Sequence, residues 1–104
     1  MKRKLSGIIH IQSKNPPIVE LDSEAHAAYV RFSSNRVART ELITDNGCIV
    51  TVDRDRRGNA IGVEFVGVDT FNIESLLRKA RVRISKSLSQ RASYIPAEHD
   101  LVAA

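Results

Sequence analysis

A polar loop near the middle of the chain has the spacing of a calcium-binding loop. Counted from Asp53, Asp55 stands at the third position, Gly58 at the sixth and Glu64 at the twelfth. Arg57, however, occupies the fifth position, which in a calcium loop belongs to an oxygen ligand. Strands are also predicted on both sides, whereas a calcium loop of this kind joins two helices. We therefore predict a hairpin loop with Gly58 in the left-handed region and no bound metal.

The three histidines are not arranged like metal ligands. His10, His26 and His99 are far apart, whereas metal-binding histidines recur at short spacings. His26 has a better claim than the other two, because it lies in the turn beside Asp22 and Glu24. An enzyme that uses this trio for acid–base chemistry is the weakest of three functional hypotheses. Since no nucleophile motif is present either, we predict no catalytic residue, no cofactor and no metal.

Length and composition are those of one small globular domain. The 104 residues are 42% hydrophobic and 27% charged, which is not the composition of a disordered chain. The apolar runs are too short for a membrane-spanning helix, so we expect no membrane partner. Cys48 is the one cysteine, which excludes an internal disulfide and fits a reducing compartment. We predict a cytoplasmic protein in which Cys48 is a small core residue.

Basic residues are concentrated in two segments of a chain whose net charge is +4. Residues 1–14 contain four basic and no acidic side chains, and residues 72–91 contain six basic side chains and one acidic. Such segments attract polyanions and acidic protein surfaces, although a solvated helix face gives the same pattern. The candidate contacts to a partner or to nucleic acid are Arg78, Lys79, Arg81, Arg83, Lys86 and Arg91.

The first two thirds of the chain alternate between short apolar runs and turn signals, which is typical of antiparallel strands. The strand period of two places Tyr29 and Arg31 on the face opposite the neighbouring apolar side chains. Residues 45–47 contain Asn-Gly, a strong hairpin signal. Gly62 indicates a bulge or the close approach of another backbone segment. The predicted strands are 18–21, 27–32, 37–43, 48–52 and 61–68, with a short one within 7–12.

The period changes at residue 72, where apolar residues begin to recur three and four positions apart. This pattern predicts one amphipathic helix with Thr70 or Asn72 as its N-cap and Glu74 in its first turn. The fold class is therefore α+β, an antiparallel β-meander of about four to five strands with one C-terminal amphipathic helix packed on one face. The helical stripe consists of Ile73, Leu76, Leu77, Ala80, Ile84 and Leu88.

Charge and period divide the chain into three segments. Residues 1–17 are a basic N-terminal extension, residues 18–88 a single meander-plus-helix domain, and residues 89–104 a loose C-terminal tail. The strands at 48–52 and 61–68 are apolar on both faces, which is more surface than one helix covers. We therefore expect self-association, for which a symmetric homodimer is the commonest form.

The residues between Val19 and Gly67 combine into a pattern with a known counterpart. Its first part is Leu21-Asp22-x-Glu24-Ala25-x-Ala27-x-Tyr29-Val30-Arg31-Phe32, followed by Arg39-Thr40-Glu41. Its second part is Asp45-x-Gly47-x-Ile49-Val50-x-Val52-Asp53, followed by Asp55-x-x-Gly58-x-x-Ile61-Gly62-Val63-Glu64-Phe65. This ordered combination resembles the YuzE-like family of small prokaryotic proteins, the domain of unknown function 2283. The chain differs at His26, where the family often has Asp, and in the arginine-rich loop 54–57, which is usually more acidic.

The resemblance implies a compact β-meander with a helical end and no established enzymatic activity, and some members look like antitoxin partners of small ribonuclease-like toxins. The first hypothesis is thus a small non-catalytic protein-interaction module, antitoxin-like or inhibitory, that binds another protein such as a small toxin. In that setting the acidic and apolar sheet would bind a basic toxin, while the basic helix or tail could bind DNA or the toxin itself. The alternative is a nucleic-acid-binding protein that uses the basic helix and N-terminus, with salt-sensitive binding.

Overall fold

Strands are the main secondary structure of the chain in a computed structural model, which describes residues 8–11, 13–44 and 47–97. An α+β class is confirmed, whereas the predictions made for residues 1–7, 12, 45–46 and 98–104 lie outside the described residues. The strands are β1 (Ile9–His10), β2 (Ile18–Asp22), β3 (Ala27–Arg31), β4 (Arg39–Thr44), β5 (Ile49–Arg54), β6 (Ala60–Val66), β7 (Val82–Arg83) and β8 (Ser93–Pro96), and the helices are α1 (Ile73–Ala80) and α2 (Lys86–Gln90).

Six of these strands form one mixed sheet in the order β4-β5-β6-β3-β2-β8. Strands β2 to β6 pair antiparallel with their neighbours, whereas β8 lies parallel to β2. The predicted meander of about four to five antiparallel strands is therefore too simple. β3 pairs with β6 and not with β4, because β6 is buried along most of its length and belongs at the centre of the sheet. β4, whose side chains are more exposed, forms an edge.

One face of the sheet carries the hydrophobic core. Val19, Val30 and Val63 stand side by side on β2, β3 and β6, and Val52 extends this row onto β5. All four are fully buried, as is Phe65 in the neighbouring row. Removal of these aliphatic and aromatic side chains from water is the main stabilising contribution to such a fold.

α1 packs its apolar side against this core. Of the two predicted N-caps the chain uses Asn72, whose side-chain oxygen accepts a hydrogen bond from the Ser75 N–H at 3.1 Å. Glu74 lies in the first turn, where its negative charge favours the helix dipole. The residues of α1 that are buried in the core cluster are Ile73, Leu76, Leu77 and Ala80.

The prediction of one helix that continues to residue 88 is wrong, since the chain forms two short helices. α1 ends at Ala80, and Arg81 takes a left-handed backbone conformation with φ 58° that stops the helix. β7 follows at once and pairs parallel with β1, and Ser85 then caps α2. Among the described residues no helix is long and apolar enough to cross a membrane.

The segment predicted as a loose C-terminal tail contains a strand. β8 lies along β2, and the Ala97 N–H donates to the Leu21 carbonyl oxygen at 2.7 Å. The Tyr94 hydroxyl accepts a hydrogen bond from the Ile73 N–H at 3.0 Å, which ties β8 to the start of α1. Pairing with distant partners therefore orders residues that have no local period. The division into 1–17, 18–88 and 89–104 stays a prediction.

Candidate protein-binding face

The sheet face opposite the core carries half-buried and exposed side chains, and we call it the open face. Because successive side chains of a strand alternate between faces, the pairing register assigns residues to it. Tyr29 and Arg31 lie on this face while Ala28 and Val30 are buried, which confirms the sequence prediction for β3. The other members are Ile18, Glu20 and Asp22 on β2, Thr40 and Leu42 on β4, Ile49, Thr51 and Asp53 on β5, Gly62, Glu64 and Val66 on β6, and Ser93 and Ile95 on β8.

Asp53 is the polar centre of the open face. Its Oδ2 accepts a hydrogen bond from the Tyr29 hydroxyl at 2.7 Å, and its Oδ1 accepts one from the Thr40 hydroxyl at 2.5 Å. Burial of the phenol raises the pKa of Tyr29 above its ordinary value, and the hydrogen bond to Asp53 raises it further. The hydroxyl therefore stays protonated and remains a donor at neutral pH.

Gly62 supplies the space that the Tyr29 side chain occupies. It stands between Arg31 and Asp53 in the register, in the row next to Tyr29. A Cβ added at Gly62 would collide with the phenol oxygen and ring of Tyr29. The sequence predicted a bulge or a close backbone approach at this glycine, but the group that approaches is an aromatic side chain, which lies across the strand.

Arg31 and Glu20 form the second polar contact of the open face. The Nη2 and Nε atoms of Arg31 lie 2.8 and 2.9 Å from Oε2 of Glu20, and both side chains are partly exposed. The guanidinium carbon of Arg31 is also 5.0 Å from the centre of the Tyr29 ring, which is within the range of a cation–π interaction. Arg31 thus links the ring to a neighbouring carboxylate.

These side chains line a shallow groove of about 420 Å³, which we call the acidic groove. One cation, Arg31, lines it among the described residues, and Val37 from the β3–β4 connection closes one side. The groove therefore carries a negative potential, which favours cationic groups of a ligand or partner. Its carboxylates are Glu20, Asp22, Asp53 and Glu64.

Large apolar side chains on the open face are exposed around the acidic groove. Leu42 is 56% exposed and Ile49 is 47% exposed, both on the β4–β5 side of the open face. Ile18 and Ile95 are exposed on the β2–β8 side, and Val37 is exposed beside the groove. We call these five residues the apolar rim. Apolar side chains that are exposed together on one face are a feature of protein-binding surfaces.

Five of the six strands that build this face, β2 to β6, lie in a region that matches a known sequence family. Residues 18–68 match the family model described as protein of unknown function (DUF2283). Residues 18–68 therefore form a domain of this family. The matched region runs from the start of β2 to just beyond the end of β6, so it contains Tyr29, Asp53, Gly62 and Glu64. The comparisons found no match among curated proteins and none among solved structures.

In this DUF2283 domain, the first two carboxylates of the calcium-like loop, Asp53 and Asp55, point in different directions. Asp53 points to the open face, whereas Asp55 is 5% exposed and points into the loop itself. Asp55 accepts hydrogen bonds from the Asn35 amide at 3.1 Å and from the N–H groups of Arg57 and Asn59 at 3.0 Å. Burial alone would raise the pKa of Asp55, but these hydrogen bonds together lower it.

The loop is therefore a polar hairpin connection held together from within. Gly58 has φ +88°, so its predicted left-handed conformation is confirmed. Within the part of the chain that the structure describes, no group of three or more potential metal-binding side chains is present.

The other residues examined for chemistry have structural contacts. Nδ1 of His26 lies 3.0 Å from Oδ1 of Asp69, which follows β6, and both side chains are exposed. The local sequence pairs His26 with Asp22 and Glu24 and gives no sign of Asp69, since that contact spans 43 residues. Cys48 is a free thiol, partly buried against the core.

The six basic candidate residues are all exposed, but they do not share one helix face. Arg78 and Lys79 lie in the last turn of α1, Arg81 follows the helix, and Arg83 lies on β7. The remaining two flank α2, with Lys86 as its first residue and Arg91 as its C-cap. The basic segment is thus distributed over a helix, a short strand and a second helix.

Sequence reasoning missed the arrangement around Asp53. The alternation of β3 predicted that Tyr29 and Arg31 share a face, but the sequence did not show that β5 and β6 bring Asp53 and Gly62 to them. Gly62 was the one local signal, because a glycine inside a strand indicates that a group from elsewhere needs its space.

Proposed function

We propose that this DUF2283 protein acts by binding another protein, as an antitoxin-like or inhibitory interaction module, and that the open face is its binding surface. The observation that supports this most is the acidic groove surrounded by the apolar rim. The partner that fits such a face presents one or more cationic side chains flanked by apolar ones. A small basic toxin is a partner of this chemistry.

The contacts on the open face favour binding over catalysis. Both oxygens of Asp53 already accept hydrogen bonds, and Glu20 is held by Arg31. These groups form a preorganised polar surface, which lowers the cost of ordering side chains when a partner binds. The exposed Glu64 and the apolar rim supply the contacts that a partner would complete.

A matched pair of charge reversals tests this proposal. Glu64→Lys places a cation in the acidic groove, whereas Lys79→Glu changes the charge by the same amount at the end of α1. The natural partner is identified by co-purification and mass analysis, and its affinity for both variants is then measured. We expect Glu64→Lys to weaken binding about tenfold or more, because it repels a cationic partner, and Lys79→Glu to have little effect.

The reverse order would contradict the proposal. If Glu64→Lys binds the partner as well as the wild type while Lys79→Glu loses it, the basic segment and not the open face is the binding surface. Circular dichroism of both variants checks that they are folded.

A homodimer through β4 is part of the proposal. Among the described strands β4 has one neighbour, β5, so its outer backbone groups face away from the sheet. Two copies of β4 paired about a two-fold axis would use these groups and leave the open face available. The proposed location is the cytoplasm, since the one cysteine of the chain is a free thiol.

Nucleic-acid binding is the second candidate, because the basic residues of the 72–91 segment are all exposed. Such binding weakens steeply as salt rises, since it depends on phosphate contacts. Neutralisation of Arg78, Lys79 and Arg83 would then abolish the shift of a duplex DNA in a gel. The absence of any shift at low salt would exclude this candidate.

A further inference from the structure

A second groove lies between the β3–β4 and β5–β6 connections, and Val37 is the residue that it shares with the proposed partner contact. Its volume is about 620 Å³. We call it the arginine groove, because Arg36 from one connection and Arg56 and Arg57 from the other line it. The remaining lining residues are Asn35, Val37, Ala38, Asp55 and Asn59.

The floor of the arginine groove is held rigidly by hydrogen bonds. The Asn35 amide donates to Oδ2 of Asp55 at 3.1 Å, which joins the two connections. The Asp55 N–H donates to the Asn59 carbonyl oxygen at 3.0 Å. Nη1 of Arg54 donates to the Gly58 carbonyl oxygen at 2.8 Å, and this hydrogen bond holds the β5–β6 loop to β5. The groove is thus a preformed feature of the fold.

The three arginines of the groove are available to a ligand. Arg36, Arg56 and Arg57 are exposed, and no carboxylate contacts their guanidinium groups among the described residues. Asp55 is the one acidic residue in the lining, and its oxygens face Asn35 and backbone N–H groups. The cationic groups therefore outnumber the carboxylate and point to solvent.

A neighbouring cleft adds a fourth cation to the same end of the sheet. This cleft, of about 370 Å³, shares Asn35, Asp55 and Asn59 with the arginine groove and is also lined by Lys14. An anion in the arginine groove would therefore lie in the field of positive charges from three separate segments of the chain. Such convergence strengthens the attraction over that of one exposed side chain.

We propose that the arginine groove binds the phosphate groups of a small nucleotide. Guanidinium groups form paired hydrogen bonds with phosphate oxygens, and three of them suit a ligand with more than one phosphate. Val37 and Ala38 offer an apolar wall for a base or a sugar, and the Asn35 and Asn59 amides offer hydrogen bonds. The volume lies within the range of about 300–1,000 Å³ that is usual for small-molecule sites.

Calorimetry with three probes tests the proposal on the full chain at low salt. ADP and inorganic pyrophosphate carry the phosphate groups, whereas adenosine lacks them. We expect ADP and pyrophosphate to bind and adenosine not to bind. The double variant Arg56→Ala/Arg57→Ala should weaken ADP binding about tenfold or more, because it removes two of the three guanidiniums.

The matched control is Arg78→Ala/Lys79→Ala, which removes the same charge from α1 and should leave ADP binding unchanged. Arg36→Ala, on the other connection, should weaken it as well. Failure of the wild type to bind ADP at millimolar concentration would overturn the proposal. Equal losses in the groove and control variants would also overturn it, because general electrostatic attraction would then explain the binding.

Discussion

Asp53 joins three strands of the open face through side chains, since Tyr29 lies on β3 and Thr40 on β4. The position of Tyr29 depends in turn on Gly62, which has no side chain to oppose it. At the scale of single residues, the shape of the acidic groove therefore depends on one small residue and one carboxylate. Both lie within the region that matches the DUF2283 family.

Gly62→Ala should destabilise the protein by roughly 1–3 kcal/mol, because the added methyl group collides with Tyr29 in a packed site. Urea unfolding of the wild type and the variant measures this change. In a Tyr29→Ala background the same substitution should cost much less, since the colliding ring is gone. Equal costs in the two backgrounds would show that Tyr29 is not the group that needs the space.

We expect the titration of Asp55 to lower the free energy of unfolding at acid pH. The pKa of Asp55 is lower in the folded chain than the ordinary value of 3.8. The ionised carboxylate therefore stabilises the folded chain at pH values above 3.8, and this stabilisation is lost as the pH falls through the lowered pKa. The urea midpoint of the wild type should therefore fall on acidification. In Asp55→Asn the fall should be shallower, because the amide does not titrate.

Glu24→Gln is the control for this titration, since Glu24 is exposed in the β2–β3 turn. Its urea midpoint should follow that of the wild type with pH. Glu41 adds a second component, because the hydrogen bond from Arg54 and the neighbouring Arg39 lower the pKa of its carboxyl. An Asp55→Asn variant with the full acid dependence of the wild type would contradict the role given to Asp55.

At the scale of elements, α1 begins where a local signal places it. Asn72→Ala should destabilise the protein by about 1 kcal/mol, because it removes the acceptor for the Ser75 N–H. Thermal or urea unfolding measures the difference. Asn72→Asp keeps an acceptor oxygen and should be nearly neutral. Equal losses in both variants would mean that the cap contributes little.

Local signals predicted the strands and the start of α1, but they did not predict where the helix ends. Ile84 and Leu88 continue the spacing of the apolar stripe, so the pattern alone favours one helix. The helix α1 ends before Arg81 because the next residues form β7, which pairs with β1 more than 70 residues earlier in the sequence. The same holds for β8 and for the β3–β6 pairing, which are decided by distant partners.

Local signals likewise predicted single residues of the functional surfaces, but they did not predict how these residues come together. Alternation within β3 was enough to place Tyr29 and Arg31 together, and glycine inside a strand indicated a close approach. The acidic groove and the arginine groove could not be predicted, because each is assembled from side chains of several strands or loops. The register between these elements is set by the tertiary fold.

At the scale of the whole molecule, the charges are separated. The acidic groove lies on the open face, whereas α1, which packs on the opposite face of the sheet, ends in Arg78 and Lys79. This separation favours a cationic partner on the open face and an anionic one elsewhere. A face with four carboxylates and one guanidinium lining its groove is poorly suited to pair with a second copy of itself.

Self-association is therefore expected through the β4 edge. Sedimentation equilibrium should give twice the mass of the 11.6 kDa chain at micromolar concentration. Leu42→Pro, which disrupts pairing along the edge strand, should shift the equilibrium toward the monomer if the variant is folded by circular dichroism. A wild-type monomer at high micromolar concentration would contradict the dimer.

The most direct test of the binding surface is the methyl NMR spectrum of the isoleucine- and leucine-labelled chain, recorded with and without its purified protein partner. We expect the signals of Leu42, Ile49 and Ile95 on the apolar rim to shift or broaden when the partner is added. The signals of Ile84 and Leu88 in the basic segment should stay in place. Shifts confined to Ile84 and Leu88, with the rim unchanged, would contradict the central claim that this protein binds its partner through the open face of its sheet.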